Sequence, residues 1–430
     1  MFREIRERWM RFWFEPSEPT DLGVSRLLFF SILFLFYLPQ DFSGWATVSS
    51  AFWAPTTFFK LLHVPVLSEF ALMALQIIWK LALLLVAIGL WTRVSLMTSA
   101  ALGFYLLGLP HNFGKTHHFD ALIVLVMAGL AFSRCGDAWS VDALIRAARR
   151  SGPVADRPAP SGEYTWPIRL VWCLMSIVFF SSGFSKLRTS GLSWINAENL
   201  AIILQQANYH TSNADPWFGA LSLRMAGWAW ACWLLAASTY VFELGYPLAL
   251  CFVSARWIVV PGMFMTQLGI RAFMGPTFQQ FWFCNVFWIP WRRIGAWVDA
   301  RLTRRRAMTI IFDGSCGLCQ ATISVVRRLD LLHRIEIRNA LTDWPDLKRR
   351  FPHLTQEACL QDMHGVTADG RTVVGFDTYR AMAWFLPLGW LLLPMLYAPG
   401  VRMIGRRVYR WVANRRFHSG CPVPSVPQKI

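Results

Sequence analysis

Charge is scarce in this sequence. Only 16% of the 430 residues are Asp, Glu, Lys or Arg, while 55% are hydrophobic and the mean hydropathy is +0.37. Water-soluble chains carry about 25% charged residues, so long stretches here must face something other than water. A one-piece cytosolic enzyme is excluded. Closely paired cysteines are scarce too. Nine cysteines occur, at 135, 173, 232, 251, 284, 316, 319, 359 and 421, and only Cys316 and Cys319 are close together. Several of the others lie in or beside apolar runs, where cysteine acts as a small buried hydrophobe, so a secreted disulfide framework does not fit. The start, MFREIRERWMRFWFEP, lacks an apolar core followed by small residues and is not read as a signal peptide. Acidic residues are the scarcer charge: 42 basic against 25 acidic gives +17. In a membrane chain such an excess holds loops on the cytoplasmic side rather than binding nucleic acid.

Long apolar runs are what the sequence has instead. Eight candidate spans fall near 22–42, 68–91, 94–110, 119–134, 166–186, 226–251, 256–274 and 276–290, the last short and bounded by Pro276 and Pro290. Ahead of them Ile5, Trp9 and Trp13 recur at helical spacing, which predicts an interfacial amphipathic helix over 1–20. Counting Lys and Arg in alternate loops gives eighteen on one side, including Arg3, Arg6, Arg146, Arg149 and Arg304, against Lys60, Lys115, Lys186, Arg188, Arg224 and Arg271 on the other. That asymmetry predicts both termini in the cytoplasm and an even number of spans in a bacterial inner membrane. The stretch 151–162, SGPVADRPAPSG, reads as a flexible loop dividing the spans into two groups.

Composition changes after the basic run Arg301–Arg306. We expect a membrane domain over 21–300, a linker over 301–307 and a soluble α/β domain over 308–430. MTIIFD (308–313) reads as a buried strand, Leu318–Leu332 as a helix and RIEIRNA (334–340) as a strand. ACLQDM (358–363) and RTVVGF (371–376) read as a hairpin around Asp369 and Gly370. This β-α-β, β-β-α order is the thioredoxin-like arrangement. Ala381–Pro399 is nearly uncharged, but a span there would separate Arg349 and Arg350 from Arg402 and Arg406 across the bilayer. Pro387 and Pro394 also interrupt it, so we expect a hairpin on the sheet or in the headgroups.

The sharpest chemical signal is Asp313-Gly314-Ser315-Cys316-Gly317-Leu318-Cys319, a CxxC where a strand enters a helix. Unpaired amides and the dipole at a helix start stabilise a thiolate, which makes Cys316 the expected attacker and Cys319, one turn on, the resolving thiol. Asp313 is placed either to accept a proton from Cys319 or to cap the turn. A structural zinc site would need two more ligands from Cys359, Cys421, His333, His353 or His364. No second closely spaced pair supplies them, and no metal is expected.

From Ile310 to Arg416 the chain resembles the DCC family of thiol-disulfide oxidoreductases through Asp313, Cys316 and Cys319 and the stretches ADGRTVVGFDTYRAMAWFLP and VYRWVANRR. The resemblance implies a thioredoxin-like fold and dithiol-disulfide exchange with protein or small-molecule partners, with no cofactor required. No proline stands just before ACLQDM, where thioredoxins carry one.

Ionisable residues in or at the ends of spans are functional candidates because hydrocarbon makes them costly. His111, Lys115, His117, His118 and Asp120 gather before and within the fourth span, Lys186 ends the fifth, and Glu243 and Gln267 lie in later ones. FFSSGFSKLRTSGLSW (179–194) is similar to the lysine segment of vitamin K-dependent gamma-carboxylase and the wider HTTM family, with Gly183, Lys186, Leu187 and Trp194 matching. HHFDALIVLVMAGLAFSRCGDAWSVDAL is similar to that family's fourth-span segment, with His117 and His118 at its head. This second resemblance implies a proton-accepting Lys186 and binding of a quinone or other isoprenoid lipid near His117, His118, Lys186 and Glu243. The carboxylase's large extracytoplasmic domain is absent, so glutamate carboxylation is not expected. The combined expectation is an α-helical polytopic membrane bundle carrying an α/β thioredoxin-like redox domain. The alternative is a lipid-binding or transport module regulated by the CxxC.

Overall fold

The computed structural model describes residues 2–114, 119–149, 158–209, 215–302, 307–330 and 333–418, and 73% of the described residues are helical. The helices that frame the argument begin with α1 (Phe2–Phe14), whose Ile5 and Trp9 are exposed, followed by α2 (Thr20–Tyr37), α3 (Glu69–Ile88), α4 (Thr92–Gly108) and α5 (Phe119–Ala131). Then come α6 (Val141–Arg149), α7 (Trp166–Ser190), α8 (Gly219–Ala226), α9 (Ala229–Gly245), α10 (Val253–Met274), α11 (Gln279–Cys284) and α12 (Trp291–Leu302).

Among the described residues, five helical stretches are long and apolar enough to cross a bilayer, and six if α8 and α9, bent by 104°, form one span. This is fewer than the eight apolar runs. The 119–134 run yields only the 13-residue α5, and the 276–290 run, bounded by its two prolines, yields the six-residue α11 and a 3₁₀ turn to Trp288. Pro276 and Pro290 confine any helix of the second run to the few residues between them. Side chains such as Phe70, Ile77, Ile78 and Leu81 on α3 point outward, while Leu72, Trp79, Leu83 and Val86 are buried. Helices with apolar residues on both faces are what a lipid-bathed bundle requires.

One buried charge inside this bundle is unforeseen by hydropathy. Arg26 of α2 is fully buried, and its guanidinium donates to Val86 O at 3.0 Å and to Trp139 O. Val86 O also accepts the Gly89 N–H at 3.0 Å and offers Arg26 its second lone pair, and the negative end of the α3 dipole favours a cation there.

The chain divides into two compact units, Met1–Ser140 with Ala159–Pro290, and Val141–Pro158 with Trp291–Ile430. The second begins earlier than the basic run at Arg301, of which 303–306 lie outside the described residues, and it takes α6 as one of its own helices. Its sheet contains β1 (Met308–Phe312), then α13 (Gly317–Leu329), β2 (Ile335–Asn339), α14 (Trp344–Arg350), α15 (Gln356–Gln361), β3 (His364–Thr367), β4 (Thr372–Val374), α16 (Phe376–Ala383) and α17 (Val401–His418).

Strand order is β2-β1-β3-β4. β1 and β2 run parallel with Met308 opposite Ile335, and β3 is antiparallel to both β1 and β4. Alternation on β1 sends Met308, Ile310 and Phe312 into one core and Ile311 into another on the opposite face. The parallel pair requires a crossover, which α13 provides. Between β4 and α17, the Ala381–Pro399 stretch forms a 3₁₀ segment (Pro387–Leu392) and a single short turn of helix (Leu393–Leu396) rather than a span.

The expected strand over ACLQDM is a correction. Those residues largely form α15, and β3 starts at His364. Thr355 accepts the Ala358 N–H and Glu357 occupies the first turn, so a helix start outweighs a short alternation that is compatible with either period. The turn at Asp369 and Gly370 is where the sequence puts it.

The C-terminal helix is tied down by charge. Asp377 on α16 takes bidentate bonds from Arg402, at 3.1 and 3.0 Å, and is paired with Arg406 as well. The hydrogen bonds from Arg402 hold the Asp377 carboxyl down to about 2. A depressed carboxylate stabilises the fold above its unfolded value of about 4 and loses that contribution as pH falls toward the folded value. Asp377→Asn should therefore accelerate hydrogen exchange in α17 at neutral pH. The wild-type helix should lose its extra protection between about pH 4 and pH 2, and the variant should show no such step.

Candidate active site

The loop between β1 and α13 is built from side-chain hydrogen bonds. Asp313 Oδ1 accepts the Ser315 N–H at 2.9 Å and the Ser315 hydroxyl at 2.7 Å, so the carboxylate caps the turn, one of its two expected roles. Gly314 N–H donates to Asn339 Oδ1 at 3.2 Å, and Gln320 Nε2 donates to Gly314 O at 2.5 Å. A Cβ on Gly314 would come within 2.1 Å of Asn339 Nδ2, so the approach of this loop to the end of β2 needs glycine.

Cys316 is the N-cap of α13, with φ −87° and ψ 115°, and its carbonyl accepts the Gln320 N–H at 2.9 Å. Amides of the first turn lie immediately beyond it, where a thiolate gains most from them. Both cysteines are buried, Cys316 completely and Cys319 to 6% exposure, in a core with Ile310, Phe312, Ile323, Met363 and Leu386. Leu318 between them is half exposed. A bulky disulfide substrate therefore reaches the first sulfur only if this cover moves.

Two neighbours hold the cover in register. Met363, directly before β3, donates its N–H to Tyr409 Oη of α17 at 3.1 Å. Its carbonyl accepts from Gly375 N–H at 2.9 Å and Thr378 Oγ1 at 3.2 Å. Helix α6 packs along α13 itself, with Ala143 and Ala147 buried one turn apart. Neither Tyr409 nor α6 was singled out from the sequence. Small residues at four-residue spacing in α6 were the available signal, masked by its position between apolar runs.

Cys359 lies in the other core, with Ile311, Leu347 and Val366, on the far side of the sheet from Cys316 and Cys319. His364, two residues before Val366 on β3, shares that far face. Neither can complete a zinc site with the CxxC, and Cys421 lies outside the described residues. Burial pushes the Cys359 thiol up to about 11, which keeps it protonated at neutral pH.

In the membrane unit, Lys186 and Glu243 meet. Lys186 Nζ lies 2.5 and 2.6 Å from the two carboxylate oxygens of Glu243, and Ser182 Oγ donates to Glu243 Oε1 at 3.1 Å. The Lys186 ammonium also lies 5.1 Å from the centre of the Trp194 ring, a cation–π contact. Glu243 is buried and Lys186 is partly exposed. Gly183 makes this meeting possible, because a Cβ there would lie 2.9 Å from Glu243 Cβ and 3.1 Å from Leu244. The Gly-x-x-Lys spacing thus has a packing reason: glycine lets α7 and α9 approach, and the lysine one turn later reaches the carboxylate.

His117, His118 and Lys115 lie outside the described residues. Asp120 is buried in a second polar cluster, with His111 Nε2 at 3.5 Å, Gln280 Nε2 at 3.2 Å and Tyr37 Oη at 3.4 Å. Tyr37 and Gln280 come from distant segments and carry no sequence signal of this meeting. Gln267 is buried, and its Oε1 has no hydrogen-bond partner among the described residues.

Residues 14–275, more than half of the chain, match the HTTM domain, and residues 310–421 match the DCC1-like thiol-disulfide oxidoreductase. The chain belongs to the HTTM family and is a multi-pass membrane protein. It carries, fused to that domain, a DCC1-like thiol-disulfide oxidoreductase domain, a combination that fits a membrane redox function. No curated protein and no solved structure matches it.

Gly183→Ala should cost about 1–3 kcal/mol by overpacking, read as a lowered unfolding temperature in detergent. The cost of Gly183→Ala should be smaller in a Leu244→Ala background, where two of the three carbons nearest the added Cβ are gone.

Proposed function

We propose that this protein is a membrane-bound thiol-disulfide oxidoreductase whose chemistry is carried by Cys316 and Cys319. The observation that supports it most is the position of Cys316 at the start of α13, one helical turn from Cys319, within the DCC1-like match. In the reductive direction the Cys316 thiolate attacks one sulfur of a substrate disulfide. A mixed disulfide forms and the first substrate thiolate leaves. The Cys319 thiolate then attacks Cys316 Sγ, releases the second substrate thiolate and leaves a Cys316–Cys319 disulfide. Two electrons and the two thiol protons pass to the substrate, and an external dithiol restores the enzyme. Asp313 contributes by shaping the turn that presents Cys316.

For the membrane unit the reading is binding of a quinone or other isoprenoid lipid near Lys186. The residues fit such a group: Lys186 supplies a hydrogen-bond donor and Trp194 an aromatic face. When bound, a quinone would supply two-electron, two-proton redox capacity. Glu243 already occupies the Lys186 ammonium, so a ligand carbonyl would share or displace that carboxylate. The arginine asymmetry supports a bacterial inner membrane with both termini in the cytoplasm.

A second reading has one observation in its favour. Helix α6, which lies in sequence between α5 and α7, packs on the CxxC helix. Under that reading the membrane unit binds or moves a lipid and the CxxC regulates it.

The test is turnover of a small disulfide such as hydroxyethyl disulfide by the full-length protein in nanodiscs. Cys316→Ser should abolish exchange without changing the unfolding temperature by more than a few degrees, and Cys319→Ser should trap a mixed disulfide. Unchanged turnover in Cys316→Ser would overturn the proposal. Lipid flux that responds to oxidation, without disulfide turnover, would favour the regulatory reading.

A further inference from the structure

Helix α17 has one packed side and one bare side. On the packed side a Cβ on Gly405 would meet the Phe376 ring at 2.3 Å, Tyr409 holds the Met363 amide and Ala413 is buried. With about 100° between successive residues, Met403, Ile404, Val408 and Trp411 fall on the opposite side, together with Arg407 and Arg410. The four apolar residues are 57%, 59%, 54% and 56% exposed. Arg402 and Arg406 are engaged by Asp377, and α17 contains no acidic residue to engage Arg407 or Arg410. Large apolar groups and arginines thus share one uncovered face.

We infer that this face rests on the surface of an anionic phospholipid bilayer, with its apolar side chains in the headgroup boundary and Arg407 and Arg410 on lipid phosphates. Three observations select that occupant. A bare face mixing Trp, Met and Ile with arginine suits an interface where apolar and anionic groups are within one side-chain length of each other. The Arg407 and Arg410 charges complement phosphate, and with Gly400, Arg402, Met403 and Arg406 they line an open cavity of about 470 Å³ that flanks the Ile404, Val408 and Trp411 stripe and is large enough for a headgroup. The same chemistry recurs at the other end of this unit, where α12 follows the last apolar segment and exposes Ile294 and Trp297. A lipid-seated α17 would also bring bilayer composition to bear on Tyr409 and, through it, on the Met363 amide.

The experiment uses the full chain in liposomes of phosphatidylcholine with or without phosphatidylglycerol. A photoreactive benzoylphenylalanine replaces Ile404 or Val408, and Arg371 in the β3–β4 turn as a control. Both helix positions should give phospholipid adducts by mass spectrometry, the control should not, and phosphatidylglycerol should raise the yield. Each arginine near an anionic surface contributes about fivefold in binding, so Arg407→Ala with Arg410→Ala should lower the yield at least fivefold. Adducts to a second copy or to the chain itself, a yield indifferent to phosphatidylglycerol, or absence of any lipid adduct would each overturn the inference. None of these readouts depends on disulfide turnover, so the redox proposal stands or falls separately.

Discussion

Removing a charge from water costs several kcal/mol unless an opposite charge or a set of dipoles replaces the lost hydration. In this protein the replacement comes from a different helix each time. Arg26 takes it from the end of α3, Lys186 and Glu243 from each other across α7 and α9, and Asp120 from His111, Tyr37 and Gln280. Asp377 takes it from α17. Leaving one member of such a pair without its partner is far worse than never having buried it. These contacts therefore specify which helices are neighbours, which apolar packing alone does weakly in a lipid solvent.

The redox unit follows a different logic, because its constraint is backbone geometry. The turn after β1 is held by Asp313 on one side and Asn339 on the other, and this delivers Cys316 to the first position of α13. The same packing that positions the sulfur also closes it off, since Met363 and Leu386 belong to the core that surrounds it. Positioning and access are therefore in tension. The elements that could relieve it, α6 along α13 and α17 through Tyr409, are the ones whose own surroundings lie outside the sheet.

Much of the candidate site was readable without coordinates, for local reasons. A strand, a turn-forming Asp and a CxxC opening a helix are encoded within about a dozen consecutive residues, and each local preference agrees with the fold. Gly183 and Lys186 were readable as a pattern, but their purpose was not, because the carboxylate they serve lies 57 residues away in sequence. The strand expected over ACLQDM failed where period-two and helical readings compete over six residues and the helix cap at Thr355 decides. Eight apolar runs stand against five or six described stretches long enough to cross, because hydropathy measures preference for lipid and not the length of one uninterrupted helix.

The sequence by itself determined the solvent of each part, since composition sets whether a segment prefers hydrocarbon or water irrespective of its neighbours. It also determined the local geometry of the CxxC, because turn and cap chemistry act over a few residues. Only the tertiary structure decided that Lys186 meets Glu243, that Cys359 and the CxxC lie on opposite faces of the sheet, and that α6 joins the redox unit. Those outcomes depend on how closely two helices or strands approach, and such distances arise from packing between segments far apart in the chain.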